Sequence, residues 1–211
     1  MGLGLAISSG IISTDSDTID MTAPDGVTAL SLRSIRIDTA INGGNSGGGL
    51  FNKDGKLIGI VNAKKESNTI DNVGYAIPLS IAIGVTENII DHCEGVENEE
   101  IKVCVLGIET SIFSSSAELD TETNQVYIVQ KVNVNSLSES SIVNDILQVD
   151  DILETIIINN ESYQITRYFT LKDLMLTTRV GDTLQFTILR GDQILTTQAL
   201  ILPANCIVSV K

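Results

Sequence analysis

The stretch Gly44-Asn45-Ser46-Gly47-Gly48 sets one hydroxyl among glycines, an arrangement suited to a nucleophile. A serine that attacks a carbonyl must project from backbone whose N–H groups converge on the developing oxyanion. Flanking glycines leave room for substrate and admit positive φ at little cost. The amides of Gly44 and Ser46 are the candidate oxyanion donors. Such a serine needs a base, ordinarily a histidine oriented by a carboxylate. The chain contains one histidine, His92, which lies after the serine. It falls at a predicted helix exit, where its ordinary role is a solvated cation facing the helix dipole. Asp38 belongs to the strand before the serine and is not a triad candidate by position.

The elements that position this turn must be built from aliphatic residues. The chain has 211 residues, 43% hydrophobic but only 4% aromatic, with no tryptophan. That length allows one or two domains, and richness in Ile, Val and Thr favours strands. A formal net charge of −14 argues against nucleic-acid binding, which needs phosphates neutralised, and against binding to an anionic membrane surface. No run reaches the roughly 18 apolar residues of a spanning helix. The N-terminal "MGLGLAISSGIIS" lacks a basic region, so it reads as an internal strand rather than a signal peptide. Cys93, Cys104 and Cys206 have no metal-like spacing and read as small buried hydrophobes. No metal and no cofactor are expected.

Two segments separate at the acidic stretch "DHCEGVENEE". In the first, "LAISSGIIS" and "LSLRSIRI" have strand length and pattern. Asp54-Gly55 supplies a hairpin turn between Leu50-Phe51 and Leu57-Ile58. "PLSIAIGVTENII" predicts a helix capped by Ser80, with Ile81, Val85 and Ile89 on one face. In the second, Val126, Ile128, Val132 and Val134 alternate as in a half-buried strand. "TLKDLMLTT" predicts a helix over 170–178 with a capping-box-like start at Thr170 and Asp173. A second hairpin turns at Arg190-Gly191-Asp192-Gln193.

"IRIDTAINGGNSGGGLFNKDGKLIGIVNA" followed by "VGYAIPLSIA" resembles the second β-barrel of the HtrA/Deg trypsin-like serine proteases. In that family a QTDAAIN-type strand, GNSGG, an Asn-x-x-Gly hairpin, a GIN-type strand and a GFAIP-type strand follow in this order. The resemblance implies that Ser46 is the nucleophile and Gly44 the oxyanion donor. It puts Ala40 and Ile41 at the floor of an apolar specificity pocket suited to Val, Leu or Ala. It also implies that Ile60, Val61, Asn62 and Ala63 pair with an extended substrate backbone. Asn45 stands where zymogens carry an aspartate, which argues against activation by a new N-terminus.

From about residue 101 the chain resembles an HtrA-associated PDZ domain. "VLGIET" matches the carboxylate-binding loop, with Leu106, Gly107 and Ile108 amides holding a peptide C-terminus. Leu171 and Met175 would face the groove from its helix. Asp150, in "VDDIL", stands where that family has glycine, and Asn159-Asn160 fits a tight hairpin turn.

The expected fold is therefore mainly β, a second trypsin-like barrel over 1–91, a linker over 92–100 and an α+β PDZ domain over 101–211. About 45 residues precede Ser46, too few for the first six-stranded barrel at ordinary strand lengths. The expected function is a truncated HtrA-like endopeptidase for unfolded proteins, inactive alone because its His and Asp are missing. The alternative is a non-catalytic PDZ protein with a silent barrel, and a third possibility is a half-enzyme completed by another chain. Expected partners are unfolded polypeptides or peptide C-termini and a second copy of the chain, since an uncovered barrel face favours association. The resemblance favours the cell envelope or the exterior as the compartment.

Overall fold

A computed structural model describes residues 7–22, 29–41, 44–64, 73–92 and 101–210. The protein is mainly β, as its β-branched composition requires, and it divides into units Met1–Ile83 and Gly84–Lys211. Most of the expected linker, residues 93–100, lies outside the described residues, as does Cys93.

The first unit comprises β1 (Ile12–Thr22), β2 (Ala29–Ile37), β3 (Gly49–Phe51), β4 (Leu57–Lys64) and β5 (Gly74–Pro78). They form one antiparallel sheet in the order β1-β2-β5-β4-β3. Ile35, Ile37, Ile41 and Ala76 make its core, with Leu50 and Val61 packed against them. The predicted N-terminal strand starts later than its sequence pattern. Residues 7–11 are not strand, and Ile7 and Ile11 are exposed. The Ile11 amide instead donates to the Asp38 carboxylate at 2.6 Å, and the Asp38 amide returns a bond to Ile11 O at 3.2 Å. The β3–β4 hairpin turns as expected. Gly55 has φ +74, a conformation that glycine adopts without a Cβ penalty. Asn52 Oδ1 accepts from the Asp54 and Lys56 amides at 3.0 and 2.9 Å, an Asx turn that fixes the loop.

Helix α1 (Leu79–His92) follows β5 without a break, so Ser80 is its second residue and not its cap. Its buried face is also shifted from the predicted one. Ile89 is exposed, whereas Asn88 is wholly buried. Asn88 Oδ1 accepts the Lys102 amide at 3.0 Å and its own amide donates to Lys102 O. The side chain thus acts as a strand partner for β6 (Ile101–Cys104), which an aliphatic pattern does not reveal. Asn88→Ala leaves both Lys102 groups unpaired, and the second unit should lose about 1–3 kcal/mol in urea unfolding. Ile89→Ala should change it little, within about 0.5 kcal/mol.

The second unit continues with β7 (Ile108–Asp120), β8 (Gln125–Leu137), β9 (Ile152–Ile158), β10 (Glu161–Gln164) and helix α2 (Thr170–Met175). Then come β11 (Thr183–Arg190), β12 (Gln193–Thr196), β13 (Leu200–Ile201), a 3₁₀ turn (Ala204–Cys206) and β14 (Ile207–Val210). The main sheet runs β12-β11-β9-β8-β7, with β10 on β9 and β13 on β11, while β14 pairs with β6. Val132, Val134, Leu153, Ile156, Leu184 and Phe186 are fully buried between the layers. Val126 and Ile128 break the expected burial alternation and are exposed. The reason is length: β9 pairs with β8 only at Val132 and Asn133, so the outer β7–β8 ribbon has no third strand beside it.

Turn chemistry follows the sequence closely here. Asp150, Asn159 and Asn160 have φ of 71, 50 and 70, and Gly191 has φ 59. Asp and Asn are the non-glycine residues that best tolerate this region. The capping box is absent: Phe169 is the N-cap of α2 and no side chain caps it. Helix α2 is also shorter than its predicted 170–178 span, ending at Met175.

Candidate functional site

The serine turn is tied to the sheet rather than free. The Gly47 amide donates to Val61 O at 2.7 Å, the Val61 amide to Gly48 O at 2.8 Å, and the Gly48 amide to Asn45 O at 3.0 Å. Gly44 and Gly47 have φ of 108 and 85, so two of the glycines are required by the backbone itself. The Asn45 side-chain amide donates to Ala40 O at 3.3 Å, holding the turn against the preceding segment. Ser46 is exposed. Among the described residues, none forms a hydrogen bond with its hydroxyl. Asp38 uses its carboxylate on Ile11, and His92 closes α1 in the second unit.

The expected substrate-contact residues separate. Ala40 is exposed, but Ile41 is a core residue packed with Ile37. Gly74 admits it, since a Cβ there would lie 2.3 Å from Ile41 Cδ1. Val61 has both its N–H and its C=O engaged by the turn, so it holds the loop and has no backbone edge left for a substrate strand. Ile60 and Asn62 are half-buried on β4, and Ala63 continues that strand.

The second unit contains a cavity of about 590 Å³ between β7 and α2. Leu106, Ile108, Leu171 and Met175, all expected there, line it. The loop before β7 is held from behind: Leu106 O accepts from Ser141 Oγ at 2.8 Å and the Ile142 amide at 3.2 Å. Gly107 O accepts from the Ser138 amide at 2.9 Å. Among the described residues, no acceptor takes the Leu106 and Gly107 amide protons. The Gly107–Ser138 bond makes Ile108 and Leu137 a non-hydrogen-bonded pair, so the Ile108 N–H and C=O point away from β8. That side is the open edge, because β7 ends the sheet path. Gly107 has φ +75, and a Cβ on it would lie 2.7 Å from Ser141 Cα.

Cys104 also lines the cavity. Burial, and then the neighbouring Cys206 thiol, push its thiol well above its ordinary value, so it packs as an inert small hydrophobe. No group of His, Cys, Asp and Glu able to hold a metal occurs among the described residues. Nor does any helix there have the length and apolarity to cross a membrane. The sequence reading missed Lys172, Leu176, Tyr168, Thr110 and Asn135 on the cavity wall. Lys172 and Leu176 form an i, i+4 stripe beside Leu171 and Met175, which helical spacing alone would have exposed.

The family model described as Trypsin matches residues 9–85. Residues 9–85 form a trypsin-like domain. The serine turn, β4 and the glycines that shape them all fall inside it. Over 107 residues the chain is 34% identical to Serine protease Do-like HtrA of Bacillus subtilis, covering 51% of this chain and 23% of that relative. It is 30% identical over 194 residues to Serine protease Do-like HtrB of the same organism, covering 87% of this chain and 39% of that relative. The chain is thus similar to these two proteases, to the second of them through most of its length, and it spans less than half the length of each of them. A solved structure, the HtrA-type protease AlgW with decapeptide, aligns at 25% identity with a TM-score of 0.45, over 95% of this chain and 57% of that one.

Proposed function

We propose that this chain is an HtrA-type serine endopeptidase sequence in which Ser46 holds the nucleophile position and the second unit is a PDZ domain for peptide C-termini. The observation that carries it is the pinned Gly44–Gly48 turn within the trypsin-like domain. In this reading Ser46 Oγ attacks a peptide carbonyl and the Gly44 and Ser46 amides receive the oxyanion. The natural substrates are unfolded polypeptides cleaved after small aliphatic residues, in protein quality control. Attack requires a base to take the hydroxyl proton; among the described residues none hydrogen-bonds Ser46 Oγ, and the one histidine of the sequence, His92, is the last residue of α1. The 211-residue polypeptide by itself therefore does not turn over. A triad-like site stripped of its base keeps at most roughly 10³–10⁴-fold acceleration over water.

The test is hydrolysis of β-casein and of fluorogenic peptides ending in Val, Leu or Ala, by this polypeptide and its Ser46→Ala variant. Both should stay at buffer background. Turnover that disappears with Ser46→Ala would mean that this chain supplies its own base, and would overturn the inactivity. The peptide-binding part rests on the open Ile108 edge, the unpaired loop amides and the apolar cavity beside them.

A further inference from the structure

The cavity between β7 and α2 has one cation on its wall, Lys172, and one anion, Glu109. Lys172 is exposed on α2, and among the described residues its ammonium has no ion-pair or hydrogen-bond partner. The Glu109 carboxylate accepts the Ser136 hydroxyl at 2.9 Å. In a chain of net charge −14, an unpaired ammonium beside apolar side chains is a local positive site.

The orientation of α2 decides what that ammonium meets. Just past the helix the Gly181 amide donates to Leu202 O at 2.9 Å, and four residues on Cys206 O accepts the Val105 amide at 2.8 Å, so the C-terminal end of α2 lies at the loop that opens β7. The Tyr168 amide donates to Gln130 Oε1 at 3.1 Å, and Gln130 pairs with Ser115 of β7. The N-terminal end of α2 therefore lies along the middle of β7. A peptide whose carboxylate meets the loop amides runs antiparallel to β7, from Tyr168 toward Leu176. Its last side chain enters the cavity beside Met175 and Leu176. Side chains two residues apart on a strand face the same way, about 6.7 Å apart. Leu176 to Lys172 is four residues of helix, a rise of about 6 Å. The residue two before the terminus thus comes level with Lys172.

We propose that Lys172 makes this groove selective for peptide C-termini that carry aspartate or glutamate two residues before an apolar terminal residue. The proposal rests on the peptide-binding reading of the second unit. Asp173 follows Lys172 on the helix, and Arg167 stands over the Phe169 ring at 5.1 Å beyond the groove's far end. Neither lines the cavity, and the Glu109 wall repels a carboxylate toward the helix side.

The experiment measures dissociation constants by fluorescence anisotropy for two decapeptides that differ only in ending Glu-Ala-Val or Gln-Ala-Val. The Glu peptide should bind about fivefold tighter to the wild-type chain, the upper range for a partly exposed ion pair. Lys172→Gln should erase that preference, and Lys172→Glu should reverse it. Raising salt should shrink it. Equal binding of the two peptides by the wild-type chain, or a preference that survives Lys172→Gln, overturns the proposal while leaving C-terminal peptide binding intact. Saturable binding of neither peptide overturns the peptide-binding reading as well.

Discussion

Replacing Asp151 with alanine should lower the stability of the second unit by about 3 kcal/mol, read as a fall in its urea midpoint. Asp151 is 1% exposed. Its carboxylate accepts Arg190 Nε and Nη2, each at 2.7 Å, and the Gln148 amide at 2.8 Å. The side-chain bond to Asp151 raises the Arg190 guanidinium above its ordinary value. This bidentate pair ties the last residue of β11 to the turn preceding β9. Removing one partner leaves an amide and a guanidinium without their acceptor, and losses of about 3–5 kcal/mol are typical for breaking buried pairs. The Arg190 side chain is 34% exposed, so water relieves part of its charge and the lower end applies. A double replacement, Asp151→Leu with Arg190→Met, should recover most of the loss, because the stranded charge is then gone.

Gly107→Val should weaken binding of a C-terminal peptide at least about tenfold, since the loop amides must point together to hold one carboxylate. The new Cβ meets Ser141 Cα at 2.7 Å and Ser138 Oγ at 2.8 Å, and valine is strained at φ +75. Relief requires the loop to rotate, which breaks the Gly107–Ser138 bond and turns the amides out of the groove. Circular dichroism of the variant separates this from unfolding: strand content should be retained while anisotropy shows the peptide unbound. Gly191→Ala serves as the control. It also sits at positive φ but has open space around its Cβ position, so it should leave peptide affinity unchanged.

Much of the turn chemistry was legible in the sequence because it is local. Asp54-Gly55, Asp150, Asn159-Asn160 and Gly191 each name their own backbone conformation, and all adopt it. The strands around Val132 and Val134 were legible from alternation. What escaped was decided by partners distant in sequence. Val126 and Ile128 keep the alternating pattern but lie beyond the reach of β9. Asn88 reads as a polar residue on a helix until Lys102 is set beside it. Ser80 resembles a cap, yet β5 runs straight into α1, which begins at Leu79 and makes Ser80 its second residue. At the candidate site, Ser46 and its glycines stand out by type and spacing. The double engagement of Val61 by the turn depends on a fold-level register that spacing cannot supply. Lys172 is an ordinary exposed helix lysine by sequence, and only the β7 wall opposite it makes it part of a groove.

On the proposed reading, this chain recognises peptide C-termini with the β7–α2 groove while Ser46 stays idle. Isothermal titration with a decapeptide ending in a free valine carboxylate, and with the same peptide amidated, tests it most directly. The free acid should bind saturably, the amide with an affinity at least about tenfold weaker, and both peptides should be recovered intact. Equal affinity for acid and amide, or no binding of either, would contradict it.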